Sequence, residues 1–293
     1  MQQNTEQAFV VDLLTTLRRG RFSARAWGRF FKRSWLLSCQ TAADNPTLKQ
    51  SWLRVTCLMT LLALLILLGN ALYAGLPTTL PILPGFALCV AWQQSDLFWH
   101  LGLNRSVQSG KLLPTIGIAN TLTWLRALGA SYLLGRLSAG LATPASLALT
   151  IFLCGIVTDI LDGQIARHRA TQSKLGQIAD AETDFCLYLA LTSILLQNGI
   201  LPLWIGLIML LRFVIPLLAV LVSYLAFAQP LRFGSTWWGK CAGLAQCLYF
   251  LLLLTPPSLS FIAHPLNTPL LIITLCLLVA APVAQLSANW REQ

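Results

Sequence analysis

Half of the ten acidic residues in this 293-residue chain lie in one short stretch, from Thr158 to Tyr188. They are Asp159, Asp162, Asp180, Glu182 and Asp184. The first two aspartates are three positions apart and the last two are four apart, so each pair projects from one face of a helix. The neighbouring segments are apolar enough to lie in a bilayer, where ionisable groups are costly and usually functional. The spacing therefore predicts two carboxylate pairs directed at one functional site.

Four carboxylates directed at one volume repel each other. At roughly 5 Å and an effective dielectric near 20, each like-charged pair costs about 3 kcal/mol. Divalent cations remove this repulsion, and oxygen ligands suit hard ions such as Mg²⁺, Mn²⁺ or Ca²⁺. The four aspartates are therefore candidate metal ligands. The alternative is a structural ion-pair cluster with the nearby basic residues Arg167, Arg169 and Lys174.

The composition excludes an ordinary soluble domain, because 56% of the residues are hydrophobic and only 10% are charged. Long apolar runs instead predict an all-α, polytopic helical membrane protein. We interpret the net charge of +10 as a positive cytoplasmic face with affinity for anionic membrane lipids, and we expect no nucleic acid partner. The eight cysteines are scattered singly, mostly in apolar runs, so we expect buried free thiols rather than disulfides.

Eight segments meet or approach the ~20 residues that a spanning helix needs. Their approximate ranges are 52–75, 80–99, 114–135, 144–165, 178–197, 201–227, 239–257 and 268–288. With the N-terminus inside, cytoplasmic segments collect seventeen of the twenty Lys and Arg residues, which satisfies the positive-inside rule. This topology places the clustered acids at the cytoplasmic ends of the fourth and fifth spans. We expect a multi-pass protein of a bacterial inner or plasma membrane, with the N-terminus and the site in the cytoplasm.

Three regions are predicted along the chain. Residues 1–50 carry eight Lys or Arg against three acids, interleaved with aromatic residues. This composition resembles a helix that lies in the membrane interface, and the alternative is a cytoplasmic tail that only sets orientation. Residues 51–111 add two transmembrane helices and a connector, and residues 112–293 form the core. His100 follows the second predicted span, and we expect a structural role for it.

The acidic stretch also follows a recognisable spacing, which is Asp159-x2-Asp162-Gly163-x2-Ala166-Arg167-x8-Gly176-x3-Asp180-x3-Asp184. At these eight positions the sequence resembles the CDP-alcohol phosphotransferase (CDP-alcohol phosphatidyltransferase) family, whose signature has four aspartates, two glycines, Ala and Arg at this spacing. The resemblance implies a six-helix core over about residues 112–290. It also implies a homodimer, for which no particular residue here gives separate support.

The resemblance implies a role for each signature residue. The four aspartates would hold two Mg²⁺ or Mn²⁺ ions, and Asp184 is also the candidate catalytic base. The other four positions would receive the nucleotide and its diphosphate. Gly163, Ala166 and Gly176 lack bulk, so a nucleotide can approach the helices closely. Arg167 can donate two parallel hydrogen bonds to the diphosphate.

Two weaker similarities lie outside the signature. Residues 120–126 are similar to the Asn-x-Leu-Thr-x-x-Arg motif of the family's first core helix, and Gly239-Lys240 is similar to the start of its fifth. Because a buried guanidinium needs an anion or carbonyl groups, we expect Arg126 and Arg212 to receive phosphate, with Arg232 at the pocket mouth. The candidate acceptor or phosphate pocket comprises Asn120, Thr123, Arg126, Arg212 and Lys240.

The sequence predicts an enzyme of phospholipid biosynthesis that moves a phosphatidyl group from a CDP-lipid, expected to be CDP-diacylglycerol, to an alcohol acceptor with release of CMP. Ala242 and Gly243 replace a Lys-Thr pair of phosphatidylglycerophosphate synthases, which argues against glycerol 3-phosphate as the acceptor. One alternative is a CDP-amino-alcohol phosphotransferase with a diacylglycerol acceptor. A second alternative is a cation or proton transporter with clustered carboxylates. Against the transporter, no internal repeat is evident and the clustered acids lie at one membrane face.

Overall fold

The computed structural model describes residue 15, residues 17–222 and residues 237–291, and the long elements in these ranges are all α-helices. They are α1 (Ala24–Asp44), α2 (Pro46–Ala74), α3 (Leu76–Trp99), α4 (Ile118–Ser138), α5 (Ala145–His168), α6 (Lys174–Gln197), α7 (Leu203–Val222), α8 (Trp237–Leu253) and α9 (Ser260–Arg291). This confirms the all-α prediction. Arg232 and the end of the sixth predicted span, residues 223–227, lie outside the described residues.

Helices α2 to α9 overlap the eight predicted spans. Four helices in the described part are long and apolar enough to cross a membrane, which supports a polytopic helical membrane protein. They are Pro46–Ala74, Leu76–Trp99, Ala145–His168 and Ala263–Ala284. The count of eight spans and the three predicted regions stay predictions. Helix α4 shows why hydropathy alone is a poor guide, because polar residues such as Asn120 and Arg126 are buried against protein.

The described helices form two compact units. The first unit comprises Met1–Leu141 and Ile151–Ala190, and it contains α1 to α4 with the acidic stretch. The second unit comprises Ala142–Thr150 and Leu191–Gln293. Within the second unit, α9 packs against α8 and α7.

In the first unit, α3 packs closely on α4. A Cβ atom added to Gly135 would lie 2.8 Å from the Cβ of Phe86 and 3.0 Å from its backbone nitrogen, so only glycine fits at this crossing. Gln93 is buried, and its amide donates to the carbonyl of Ala127 at 2.9 Å and to Ser131 Oγ at 2.7 Å. Because an unpaired buried amide would be costly, these contacts fix the register of α3 on α4.

The N-terminal helix α1 begins after Ser23, whose side chain accepts a hydrogen bond from the backbone N–H of Ala26 as an N-cap. Aromatic side chains of α1 pack on the end of α3. The ring of Trp35 lies 5.1 Å from the ring of Phe98, and Trp99 Nε1 donates to Ser34 Oγ at 2.7 Å. Residues Ala24–Asp44 of the basic aromatic segment thus form a docked helix, and its location in the membrane interface stays a prediction.

A connector between α3 and α4 pairs with the loop that precedes α6. The backbone N–H of Val107 donates to the carbonyl of Gln172 at 2.9 Å, and that of Lys174 donates to the carbonyl of Arg105 at 3.0 Å. Buried Asn104 holds the connector together, because its amide donates to two carbonyls farther along the connector. The region before the core therefore contacts the start of α6 directly.

All eight cysteines are free thiols, which confirms the expectation of no disulfides. The expectation that they are buried is wrong, because Cys57, Cys154 and Cys276 are exposed and the others are half-buried. The three exposed thiols lie on α2, α5 and α9, which are among the helices apolar enough to cross a membrane. Such helices place apolar side chains on their outer faces, where lipid replaces the protein interior as the apolar surroundings.

Candidate active site

Helices α5 and α6 carry the four aspartates, with Asp159 and Asp162 near the end of α5 and Asp180 and Asp184 in α6. Carboxylate oxygens of Asp159, Asp162 and Asp180 lie within 4.8 Å of one another. At this separation a single cation can contact all three groups. The structure therefore brings together residues from both helices.

Arg126 of α4 lies among these carboxylates. Its side chain is 1% exposed, and its guanidinium contacts both Asp159 and Asp180. The guanidinium nitrogens also lie 3.1 Å from Asp184 Oδ1 and 3.6 Å from Asp162 Oδ2. One planar cation thus joins the four aspartates, which we call the carboxylate cluster. The anions around Arg126 are side chains of the protein, which the sequence analysis did not anticipate.

This arrangement bears on both sequence interpretations of the cluster. It is an ion-paired cluster in which Arg126 of α4 is a cation. It is also a set of oxygen donors, which is the ligand type that hard divalent cations prefer. The positive charge of Arg126 offsets part of the repulsion among the carboxylates.

A second polar side chain of α4 supports the cluster. Thr123 Oγ1 donates to Asp162 Oδ2 at 2.8 Å, and both residues are buried. Asn120, Thr123 and Arg126 are spaced by three residues, so they project from neighbouring positions on one side of α4. The three polar residues of the predicted motif therefore face the acidic stretch together.

Asn120 and Gly176 meet at the start of α6. The Asn120 amide donates to Ser173 Oγ at 3.3 Å, and the same hydroxyl accepts from the backbone N–H of Gly176 at 3.0 Å. A Cβ atom on Gly176 would lie 2.5 Å from Asn120 Oδ1. Glycine is therefore required if Asn120 is to keep this position.

An open cleft lies beside the carboxylate cluster. Its lining contains the predicted site residues Asn120, Thr123, Asp162, Gly163, Ala166, Arg167, Gly176 and Asp180. The guanidinium of Arg167 covers Gly163, because a Cβ atom there would lie 3.2 Å from Arg167 Nη1. The cleft thus joins the candidate nucleotide residues to two of the candidate metal ligands.

The sequence analysis missed five residues of this lining, which are Ala119, Thr171, Gln172, Ser173 and Gln177. Ser173 had a detectable signal, since a serine before a helical segment is a preferred N-cap. Its hydroxyl accepts from the third residue of α6, which is the usual N-cap contact. The other four have no such local signal.

Two candidate pocket residues, Arg212 and Lys240, belong to the second unit. Arg212 Nη1 donates to Oε1 of fully buried Gln246 at 3.1 Å. A Cβ atom on Gly243 would lie 2.6 Å from Arg212 Nη2, so the guanidinium occupies the space that a larger residue would need. The role of Arg212 and Lys240 in phosphate binding stays a prediction.

The helices and the carboxylate cluster define an integral membrane protein with a candidate site for divalent cations. A family model described as CDP-alcohol phosphatidyltransferase matches residues 116–280, which is more than half of the chain. The protein therefore belongs to this family, and the predicted family is confirmed. No curated protein and no solved structure matched the chain.

Membership of this family establishes the general class of activity of the protein. The protein is a membrane transferase of a family that uses a CDP-alcohol donor and an alcohol acceptor. Such a transfer of a phosphate-alcohol group belongs to phospholipid synthesis. The family generally uses a divalent metal, and the carboxylate cluster provides a group of ligands for one.

Proposed function

We propose that the protein transfers a phosphatidyl group from a CDP-lipid, CDP-diacylglycerol, to an alcohol acceptor and releases CMP. The observation that carries this proposal is the convergence of the carboxylate cluster with the cleft that holds Gly163, Arg167 and Gly176. A diphosphate in the cleft would lie beside the carboxylates that can hold cations. The proposal includes a cytoplasmic site in a bacterial membrane, since the basic residues favour that topology.

The residues of the cluster fit a hard divalent cation. They offer only oxygen donors, and three of the carboxylates are close enough to share an ion. We propose two Mg²⁺ or Mn²⁺ ions held by Asp159, Asp162, Asp180 and Asp184. Bound there, the ions would neutralise diphosphate oxygens and stabilise the leaving CMP.

The protein's own groups bind and orient the reactants. Arg167 is placed to donate to the diphosphate, and Gly176 lets Asn120 approach the start of α6 in the lining of the cleft. Asp184, with a side chain that is 37% exposed, remains accessible at the edge of the cluster. We propose that Asp184 accepts the proton of the acceptor hydroxyl, which must lie within hydrogen-bond reach.

The bonds change at one phosphorus atom. The acceptor oxygen forms a bond to the phosphorus that carries the diacylglycerol, and the anhydride bond between this phosphorus and CMP breaks. The electron pair of that bond leaves with CMP, and the acceptor proton passes to Asp184. Apolar exposed faces of helices such as α2 would let the acyl chains stay in the leaflet during this step.

The test uses purified full-length protein with CDP-diacylglycerol or CDP-choline and a panel of alcohols. CMP is measured by chromatography, and the lipid product is measured by mass spectrometry. We expect Mg²⁺-dependent CMP release from CDP-diacylglycerol, and its loss in Asp180→Asn and Asp184→Asn. Asp44→Asn, at the exposed end of α1, is the matched control.

Three outcomes would contradict the proposal. Release from CDP-choline alone, with diacylglycerol as acceptor, would favour the CDP-amino-alcohol reaction. Wild-type turnover in both aspartate variants would exclude the cluster from catalysis. A cation flux into proteoliposomes that needs no nucleotide would favour a transporter.

A further inference from the structure

A second group of potential metal ligands lies where α3 ends, away from the signature residues. One ligand atom each from Asp96, His100 and Glu182 lies within 4.8 Å of the other two. Asp96 and His100 come from one turn at the end of α3, and Glu182 comes from α6. The side chains of Asp96 and His100 are 16% and 29% exposed, whereas that of Glu182 is exposed.

The imidazole of His100 is oriented for a ligand. Its Nδ1 lies 3.1 Å from the backbone carbonyl oxygen of Asp96 and 3.2 Å from Asp96 Oδ1. Two ligands of one tetrahedral Zn²⁺, each at about 2.1 Å from the ion, lie roughly 3.4 Å apart, so Nδ1 of the neutral imidazole and Asp96 Oδ1 are spaced to bind one ion.

The charge of the group favours a cation. Two carboxylates, those of Asp96 and Glu182, lie beside one imidazole, and a divalent cation would balance their charge.

We propose that Asp96, His100 and Glu182 form a second metal site, which takes a transition ion such as Zn²⁺ rather than Mg²⁺. The imidazole distinguishes it from the carboxylate cluster, because nitrogen donors suit Zn²⁺ whereas Mg²⁺ prefers oxygen alone. The bound ion would link α3 to α6, two residues from Asp180 and Asp184. This would be a structural or regulatory site, since none of its three ligands belongs to the catalytic signature.

The connector provides independent support for this link. It pairs with the loop just before α6 through Val107 and Lys174, as described above. The region before the core thus contacts α6 at two places, at its first residue and at Glu182. An ion at the second place would complete an attachment that the backbone already makes at the first.

The experiment measures Zn²⁺ binding to full-length protein in detergent with excess Mg²⁺, which occupies the carboxylate cluster. We expect a further Zn²⁺ equivalent in wild type. His100→Gln and Glu182→Gln should weaken this binding by at least the roughly 10–100-fold that loss of an outer-shell partner costs. His168→Gln, at the exposed end of α5, is the matched control and should bind as wild type does.

A measurement on the wild-type protein tests the proposal even if a variant fails to fold. X-ray absorption at the zinc edge should show one imidazole nitrogen among oxygen ligands. An oxygen-only shell, unchanged affinity in both ligand variants, or no Zn²⁺ binding above excess Mg²⁺ would each overturn the proposal. No nucleotide is present, so failure here leaves the transferase proposal unaffected.

Discussion

Replacing Arg126 by methionine tests whether its guanidinium and divalent cations neutralise the same four carboxylates. The change removes the charge and keeps an apolar stem. At 3.1 Å and an effective dielectric near 20, the attraction between Arg126 and Asp184 is about 5 kcal/mol. The pair with Asp162 at 3.6 Å gives a similar value of about 5 kcal/mol. Partial exposure of three of the carboxylates screens these attractions and lowers their net effect.

Removal of one partner from a buried charge cluster costs about 3–5 kcal/mol in total, because the remaining charges lose their counterion. In the presence of a chelator, we therefore expect the midpoint of thermal unfolding of Arg126→Met to lie about 10 °C below that of wild type. Added Mg²⁺ should restore most of this loss, since it relieves repulsion among the same carboxylates. The stabilisation by Mg²⁺ should thus be larger in Arg126→Met than in wild type.

The assay is thermal unfolding of full-length protein in detergent, with chelator or with saturating Mg²⁺. Arg136→Met is the control, because Arg136 lies in the last turn of α4, away from the carboxylate cluster. Equal stabilisation of wild type and Arg126→Met by Mg²⁺ would refute the reasoning. It would mean that Arg126 and the metal do not share ligands.

Two further predictions concern glycines. Gly176→Ala should displace Asn120 from the cleft and lower kcat/KM for the CDP donor about tenfold, which corresponds to ~1.4 kcal/mol; unchanged steady-state kinetics would show that the Asn120 position is not needed. Gly135→Ala should lower the free energy of unfolding by about 1–3 kcal/mol, because its Cβ would press on the Phe86 backbone. Gly69→Ala, which meets no atom within 4 Å, is the matched control for denaturant unfolding, and equal stability of the two variants would contradict the close helix crossing.

The helices and the aspartate faces could be predicted from sequence because both depend on local periodicity. Spacings of three and four residues place Asp159 beside Asp162 and Asp180 beside Asp184 on any helix. The N-cap at Ser173 is equally local. Apolar runs of sufficient length likewise predict helices, since a bilayer leaves few other ways to pair the backbone.

The partners of Arg126 could not be predicted, because they depend on how three helices pack. The motif on α4 indicated a buried guanidinium that needs an anion, but spacing does not say whether the anion is a phosphate or a protein carboxylate. The same limit applies to His100, which was expected to be structural. His100 lies near Glu182 because of the way α3 packs on α4. The close contact at Gly135 and the buried amide of Gln93 fix this packing.

Helix α6 connects the two groups of charges. Successive residues of a helix are rotated by about 100°, so Glu182 projects nearly opposite to Asp180 and Asp184. One face therefore contacts Arg126 of α4, and the other contacts the end of α3. Since α3 also packs on α4, the turn that carries Asp180 and Asp184 is held from both sides. The helices before the matched family region thus help to position two residues of the carboxylate cluster, and a cation bound at either face would stabilise the same turn.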